Sequence, residues 1–86
     1  MPELSRFYGI TIRMYFREHD PPHFHAEYGG SQVLVRIEDL AMLGGRLPPR
    51  ARGLVVEWAS QHHDELRKAW ERARRHEDPG TIAPLA

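Results

Sequence analysis

Hydrophobic and polar residues alternate along the first half of the chain, and this alternation predicts β-strands. Between Gly9 and Phe16, the apolar side chains at positions 10, 12, 14 and 16 fall on one face, and Thr11, Arg13 and Tyr15 fall on the other. A period of two is typical of a strand that buries one face. The pattern predicts a strand over residues 9–16, and two prolines at 21 and 22 then prevent a hydrogen-bonded ladder from continuing.

The next two predicted strands form a hairpin. They cover residues 23–28 and 31–37 and are joined by a two-residue glycine turn at 29–30. A turn of this length determines which residues pair along the two strands, and counting away from the turn places His23 opposite Arg36. In this register the apolar residues face one another, whereas a shift by one residue would turn them to the wrong face.

The second half of the chain changes from a period of two to a helical period. A shorter strand is predicted over residues 40–46, and Pro48-Pro49 then opens one long helix over residues 49–76. The helix carries a single apolar stripe, formed by Ala51, Leu54, Val55, Trp58, Ala59, His62, Leu66, Ala69, Trp70 and Ala73. We therefore predict one α+β domain over residues 1–86, in which an antiparallel meander of three to four strands packs its apolar face on the long helix. Residues 78–86 form a short tail.

Composition narrows the class of protein. The 86 residues include no cysteine, which removes disulfides and thiolate metal ligands. Twelve basic residues balance twelve acidic ones, which argues against a charge-driven coat for DNA or RNA. The chain does not begin with a basic segment followed by an apolar run, and nowhere do about 18 apolar residues follow one another. We expect a cytoplasmic protein that does not enter a membrane.

Six histidines are the most unusual feature of so short a chain. His23 and His25 lie two residues apart on one predicted strand, so their side chains point the same way with Cα atoms about 7 Å apart. That spacing suits a shared metal ion. Glu27 follows on the same face, and His19 lies in the preceding turn. A divalent metal held by His23, His25, Glu27 and His19 is one hypothesis, and two exposed histidines that bond to polar neighbours are the alternative.

The same two histidines also suit acid–base catalysis. Strand parity places Arg13, Tyr15 and Arg36 on the face that carries His23 and His25, which we call the outer face because the helix packs on the other. Arginines can hold a phosphate and a tyrosine can stack on a base, so RNA cleavage without a metal is a further hypothesis. A partner-binding surface is the alternative. We expect the outer face to be uncovered, because no chain remains to cover it.

Several motifs resemble those of one bacterial family. They are Ser5-Arg6-Phe7-Tyr8-Gly9-Ile10, Pro21-Pro22-His23-Phe24-His25-Ala26-Glu27-Tyr28, Gly45-Arg46-Leu47-Pro48-Pro49-Arg50-Ala51, Glu57-Trp58, Glu65-Leu66, Trp70 and the closing Ile82-Ala83-Pro84-Leu85. Over essentially the whole chain they resemble the domain of unknown function numbered 4160. The resemblance implies a two-gene operon whose other gene encodes a small domain of unknown function, numbered 2442, in an arrangement like a toxin–antitoxin pair. It implies no established catalytic residue.

The sequence therefore leads to one main hypothesis and two alternatives. The main hypothesis is a cytoplasmic, toxin–antitoxin-like protein that needs no cofactor and acts through a small operon-encoded partner, using the outer face around His23, His25, Arg13 and Arg36. The first alternative is an RNA-cleaving toxin that uses these residues with Tyr15. The second is a histidine-based module for a divalent metal. The sequence also permits a homo-oligomer.

Overall fold

Five strands, taken in chain order, form one antiparallel sheet. The computed structural model describes residues 3–16 and 18–86. The strands are β1 (Glu3–Phe7), β2 (Ile10–Arg13), β3 (His23–Tyr28), β4 (Ser31–Arg36) and β5 (Met42–Gly45), and they lie side by side in the order β1-β2-β3-β4-β5. Two helices follow, α1 (Pro49–Gln61) and α2 (His63–Arg74). The α+β class and the meander are confirmed.

The number of strands was underestimated because β1 shows no alternation. Leu4, Ser5 and Phe7 are all buried, so apolar and polar positions do not alternate along this strand. Its pairing with β2 also shifts register between Glu3 and Ser5, which moves the later residues out of a strict period of two. The prediction of three to four strands is therefore wrong by at least one strand.

Two other predicted strands are shorter in the structure. The strand predicted over 9–16 becomes β2 (Ile10–Arg13), because the chain leaves the sheet after Arg13. The strand predicted over 40–46 becomes β5 (Met42–Gly45), since Leu40 adopts a left-handed φ of 61° in the preceding turn.

The register of the central hairpin is confirmed. His23 lies opposite Arg36, and Tyr28 lies opposite Ser31, as the glycine turn requires. This register fixes which residues of β3 and β4 share the outer face.

The single helix predicted over residues 49–76 is divided at His62. This residue has φ −128° and ψ 30°, outside the helical region, and α2 begins at the next residue. The apolar stripe persists across the break, and its buried members are Ala51, Val55, Trp58, Ala59, Leu66, Ala69, Trp70 and Ala73. The prediction of one long helix is wrong because the apolar residues keep their helical spacing across this one-residue interruption, so the spacing does not reveal it. Neither helix in the described part of the chain is both long and apolar enough to cross a membrane.

Trp58 joins α1 to the sheet. Its indole is fully buried and packs against Phe7, with ring centroids 5.4 Å apart, and against Phe24 at 5.9 Å. Its Nε1 donates a hydrogen bond to the Ala83 carbonyl at 2.8 Å, which ties the C-terminal tail to the helix.

The tail covers the β1 side of the sheet. Ile82 donates its backbone N–H to the Leu4 carbonyl at 2.7 Å, and the Tyr8 hydroxyl donates to the Ala86 carbonyl at 2.9 Å. Ile82 and Leu85 are buried, as expected if the tail packs back on the core. Of the two edge strands, β5 is therefore the one that the tail leaves open.

Gly45 allows β5 to pass close to β4. Its φ is 79°, and a Cβ at this position would overlap the backbone carbonyl oxygen of Gln32. We expect Gly45→Ala to lower the free energy of unfolding by about 2–3 kcal/mol. Gly44→Ala is the matched control, because a Cβ there meets nothing within 4 Å. Urea denaturation should place this control within about 0.5 kcal/mol of the wild type, and equal losses in the two variants would disprove the explanation.

Candidate metal centre

The outer face of the sheet is covered at its two histidines. His23 and His25 are only 5% and 8% exposed. The His23 ring packs against Trp70 of α2 with centroids 5.3 Å apart, and Tyr15 packs edge-on against His25 at 4.5 Å. The expectation of an uncovered face is wrong here, because α2 and the segment that follows β2 both reach these rings.

Glu18 brings a carboxylate to both imidazoles. Its Oε1 lies 2.6 Å from His25 Nε2 and 3.6 Å from His23 Nε2. One potential ligand atom from each of the three residues lies within 4.8 Å of the others. We call Glu18, His23 and His25 the Glu-His-His cluster. The Glu18 side chain is 26% exposed, whereas the two histidine side chains are 6% and 10% exposed, so the carboxylate is its most solvent-accessible member.

The hydrogen bonding of His23 leaves a free lone pair inside the protein. Its Nδ1 lies 2.8 Å from the Pro21 carbonyl oxygen. Because a carbonyl oxygen only accepts hydrogen bonds, we assign the hydrogen to Nδ1 and the lone pair to Nε2. This Nε2 is buried and has no hydrogen-bond partner in the described chain. Histidines that bind metals commonly donate their other N–H to a backbone carbonyl in this way.

His25 is hydrogen-bonded to Glu18. A carboxylate accepts hydrogen bonds, so His25 Nε2–H donates to Glu18 Oε1 across their 2.6 Å contact. A tetrahedral zinc ion with bonds of about 2.0–2.1 Å holds its ligand atoms about 3.3 Å apart. The 3.6 Å contact between Glu18 and His23 is close to that spacing. For His25 to bind a metal through Nε2, the hydrogen would move to Nδ1, which is buried and has no partner in the described chain. The Glu18–His25 contact would then widen slightly.

Two residues of the metal hypothesis lie outside the cluster. Within residues 3–16 and 18–86, the group of mutually close ligand atoms includes neither His19 nor Glu27. His19 is exposed in the turn before β3. Glu27 accepts a hydrogen bond from Arg13 Nε at 3.3 Å instead. Of the four predicted ligands, the structure brings together His23 and His25, and Glu18 is the third candidate ligand.

The two arginines of the catalytic hypothesis lie beside the histidines, and each has a carboxylate partner. Arg13 is opposite His25 between β2 and β3, and Arg36 is opposite His23 between β3 and β4. The Arg36 guanidinium forms two hydrogen bonds of 2.8 Å to Asp39. Arg13 and Arg36 therefore both lie on the predicted face, and a carboxylate partly neutralises the charge of each.

The hydrogen bonds from Arg36 lower the pKa of Asp39 to about 2, and a hydrogen bond from the Ala41 N–H acts in the same direction. A lowered pKa in the folded state means that this carboxylate stabilises the fold above its ordinary pKa of about 3.9, and that the contribution is lost as the pH falls through about 2. We expect an NMR titration of the Asp39 carboxyl carbon to give a pKa of about 2. Arg36→Gln should raise it most of the way to the ordinary value, whereas Glu38→Gln should leave it nearly unchanged. A low Asp39 pKa in both variants would rule out Arg36 as the cause.

Sequence reasoning missed Glu18 and the contact between Trp70 and His23. Glu18 precedes the two prolines in the connection between β2 and β3, where no periodic pattern indicates the direction of a side chain. Trp70 belongs to the apolar stripe, which the sequence places against the face of the sheet opposite to His23. The sequence signals available were a carboxylate five residues before His23 and a tryptophan far along the helix, and neither is specific.

The family comparison covers the part of the chain that carries the cluster. A family model described as "Domain of unknown function (DUF4160)" matches residues 9–71. The chain belongs to this family. The match confirms the resemblance seen in the motifs, and it includes all three residues of the Glu-His-His cluster, while all of β1 and the tail lie outside it. No curated protein and no solved structure matches the chain.

Proposed function

We propose that this DUF4160 protein binds a first-row transition-metal dication through Glu18, His23 and His25. The observation that carries the proposal is the buried lone pair of His23 Nε2, which has no hydrogen-bond partner in the described chain and lies 3.6 Å from a carboxylate oxygen. A buried polar atom without a partner costs free energy. A bound cation would satisfy that atom and the carboxylate together.

The chemistry of the ligands selects the metal. Two imidazole nitrogens and one carboxylate oxygen suit Zn²⁺, Fe²⁺, Ni²⁺ or Cu²⁺, whereas Mg²⁺ and Ca²⁺ prefer sites made of oxygen alone. Three protein ligands would leave one position open on a four-coordinate zinc ion, as in zinc sites that bind water or a substrate. We therefore expect zinc to bind far more tightly than magnesium.

The burial that favours a metal weighs against RNA cleavage by the same histidines. A general base must come within about 2.6–3.2 Å of the proton that it removes. His23 Nε2 and His25 Nδ1 are both buried, and His25 Nε2 is bonded to Glu18. A polymer reaches such atoms only if the surrounding chain opens, whereas a single ion needs much less space.

Isothermal titration calorimetry of untagged protein tests the proposal. We expect one Zn²⁺ per chain, and no measurable heat with Mg²⁺. Glu18→Gln keeps the size of the side chain and its ability to accept the bond from His25, but it removes the charged ligand, so zinc affinity should fall at least about tenfold. Glu27→Gln is the matched control and should keep its affinity. An equal fall in both variants, or no zinc binding by the wild type, would overturn the proposal.

We also propose a partner protein for the part of the outer face around the cluster. Arg13, Leu34 and Arg36 are half-buried there and form a mixed apolar and cationic surface, and arginine is enriched at interfaces. In this proposal the protein is cytoplasmic and bacterial, and it works in a toxin–antitoxin-like pair with the product of a neighbouring gene. Size-exclusion chromatography of the two proteins at micromolar concentration should show a complex that Leu34→Glu abolishes. Separate elution of the wild-type proteins would rule this pairing out.

A further inference from the structure

We infer that the groove between β5 and the start of α1 binds an extended, acidic segment of a partner protein. This β5 groove has a volume of about 460 Å³, and the residues that matter in its lining are Val33, Met42, Leu47 and Pro48, which are apolar, and Arg46 and Arg52, which are basic. It lies apart from the Glu-His-His cluster, and the inference does not depend on metal binding.

The open edge of β5 supplies the first argument. An edge strand presents unpaired N–H and C=O groups that can pair with another extended chain. The opposite edge is covered where Ile82 bonds to Leu4, but in the described chain β5 pairs only with β4. Proteins usually protect such an edge with lysine, proline or charged residues. The sequence of β5 is Met-Leu-Gly-Gly, and Leu43 is 41% exposed, so no charged residue or proline within β5 itself protects this edge.

The charge of the groove supplies the second argument. Arg46 and Arg52 line it, and no acidic residue does. Neither arginine forms an ion pair with the described residues, whereas the arginines on β1, β2 and β4 each pair with a carboxylate. Two unpaired guanidinium groups beside an apolar surface complement a segment that carries both carboxylates and apolar side chains.

The open strand edge and the positive charge beside it together specify the form of the occupant. A strand added to β5 places every second side chain on the same face. Apolar residues at alternate positions would enter the groove, and acidic residues near them would meet Arg46 and Arg52. A second copy of this chain fits less well, because pairing β5 with its own copy would add the positive charges of both grooves. RNA carries negative charge, but it does not add a strand to a sheet edge.

Selection from a displayed library of random 12-residue peptides tests the inference. Immobilised wild-type protein, kept in a metal chelator so that the result is independent of the cluster, should enrich peptides in which apolar and acidic residues alternate. In an NMR titration, a synthetic copy of an enriched peptide should shift the backbone amides of residues 42–46.

Charge-reversed variants provide the control for that selection. The affinity of the peptide should fall at least about tenfold in the Arg46→Glu, Arg52→Glu double variant and also in Leu43→Lys. The affinity should be unchanged in the Arg67→Glu, Lys68→Glu double variant. This variant changes the net charge by the same amount, but at two exposed positions of α2. A selection without acidic enrichment, an equal fall in the α2 variant, or tighter binding of a 12-nucleotide polyuridine at the same amides would overturn the inference.

Discussion

Trp58→Ala should remove most of the stability of the protein. The indole is fully buried and contacts Phe7 and Phe24, so its loss leaves a large cavity where α1 meets the sheet. Replacing a buried tryptophan by alanine costs about 3–5 kcal/mol. Domains are stable by only about 5–15 kcal/mol, and a chain of this size buries a small core. Urea denaturation followed by circular dichroism should show a midpoint close to zero denaturant or no folded baseline.

Conservative variants separate the hydrogen bond of Trp58 from its packing. Trp58 Nε1 donates to the Ala83 carbonyl, whereas Trp70 Nε1 is buried and has no partner among the described residues. Trp58→Phe and Trp70→Phe remove similar volumes, but only the first loses a hydrogen bond and leaves a carbonyl unpaired. We expect Trp58→Phe to be less stable than Trp70→Phe by about 1 kcal/mol. The reverse order would mean that the tail is not held by this bond.

Zinc should raise the melting temperature of the wild-type protein by a large amount. A ligand that binds only the folded state at about 100 times its dissociation constant adds about 2.7 kcal/mol of stability. For a domain of this length, each kcal/mol shifts the melting temperature by about 4–8 °C, so the expected rise is about 10–20 °C. Differential scanning calorimetry measures it, and an added chelator should reverse it.

Two glutamine variants show whether the cluster is responsible for that rise. Glu18→Gln should lose about half of the zinc-dependent shift or more, because a tenfold fall in affinity reduces the stabilisation from about 2.7 to about 1.4 kcal/mol. His19→Gln changes an exposed residue next to it and should keep the full shift. A rise that persists in full in Glu18→Gln would assign zinc to scattered surface histidines and would contradict the proposed site.

The elements that could be predicted are those specified by short-range patterns. The turn at Gly29-Gly30 and the alternation on both sides of it determine one register. That register was correct from the His23–Arg36 pair to the Tyr28–Ser31 pair. The helical stripe was also correct, because burial repeats every three or four residues through both helices. In each case the sequence itself contains the period that the structure uses.

The elements that were missed leave no mark in the hydrophobic period. β1 has buried residues at consecutive positions, Leu4 and Ser5, so it has no alternation to detect. The division of the helix at His62 leaves the apolar period intact, so only the backbone angles reveal it. In neither case does the period of apolar residues carry the signal.

The candidate site could likewise be predicted only in part. The pair His23 and His25 follows from strand parity, so it could be proposed from spacing alone. The third candidate ligand comes from the connection between β2 and β3, where Glu18, His19 and Asp20 are adjacent. Which of these faces the histidines depends on the path of that connection back over the sheet, and the sequence has no period there. Their burial was missed because it depends on Trp70 and Tyr15.

X-ray absorption spectroscopy of the zinc-loaded protein tests the central claim most directly. We predict a shell of nitrogen and oxygen atoms at about 2.0–2.2 Å that includes two imidazole rings and one carboxylate. Imidazole scattering should fall to that of a single ring in His23→Gln, while His19→Gln should give the wild-type spectrum. A shell of six oxygen atoms, or imidazole scattering that is unchanged in His23→Gln, would contradict a metal centre formed by Glu18, His23 and His25.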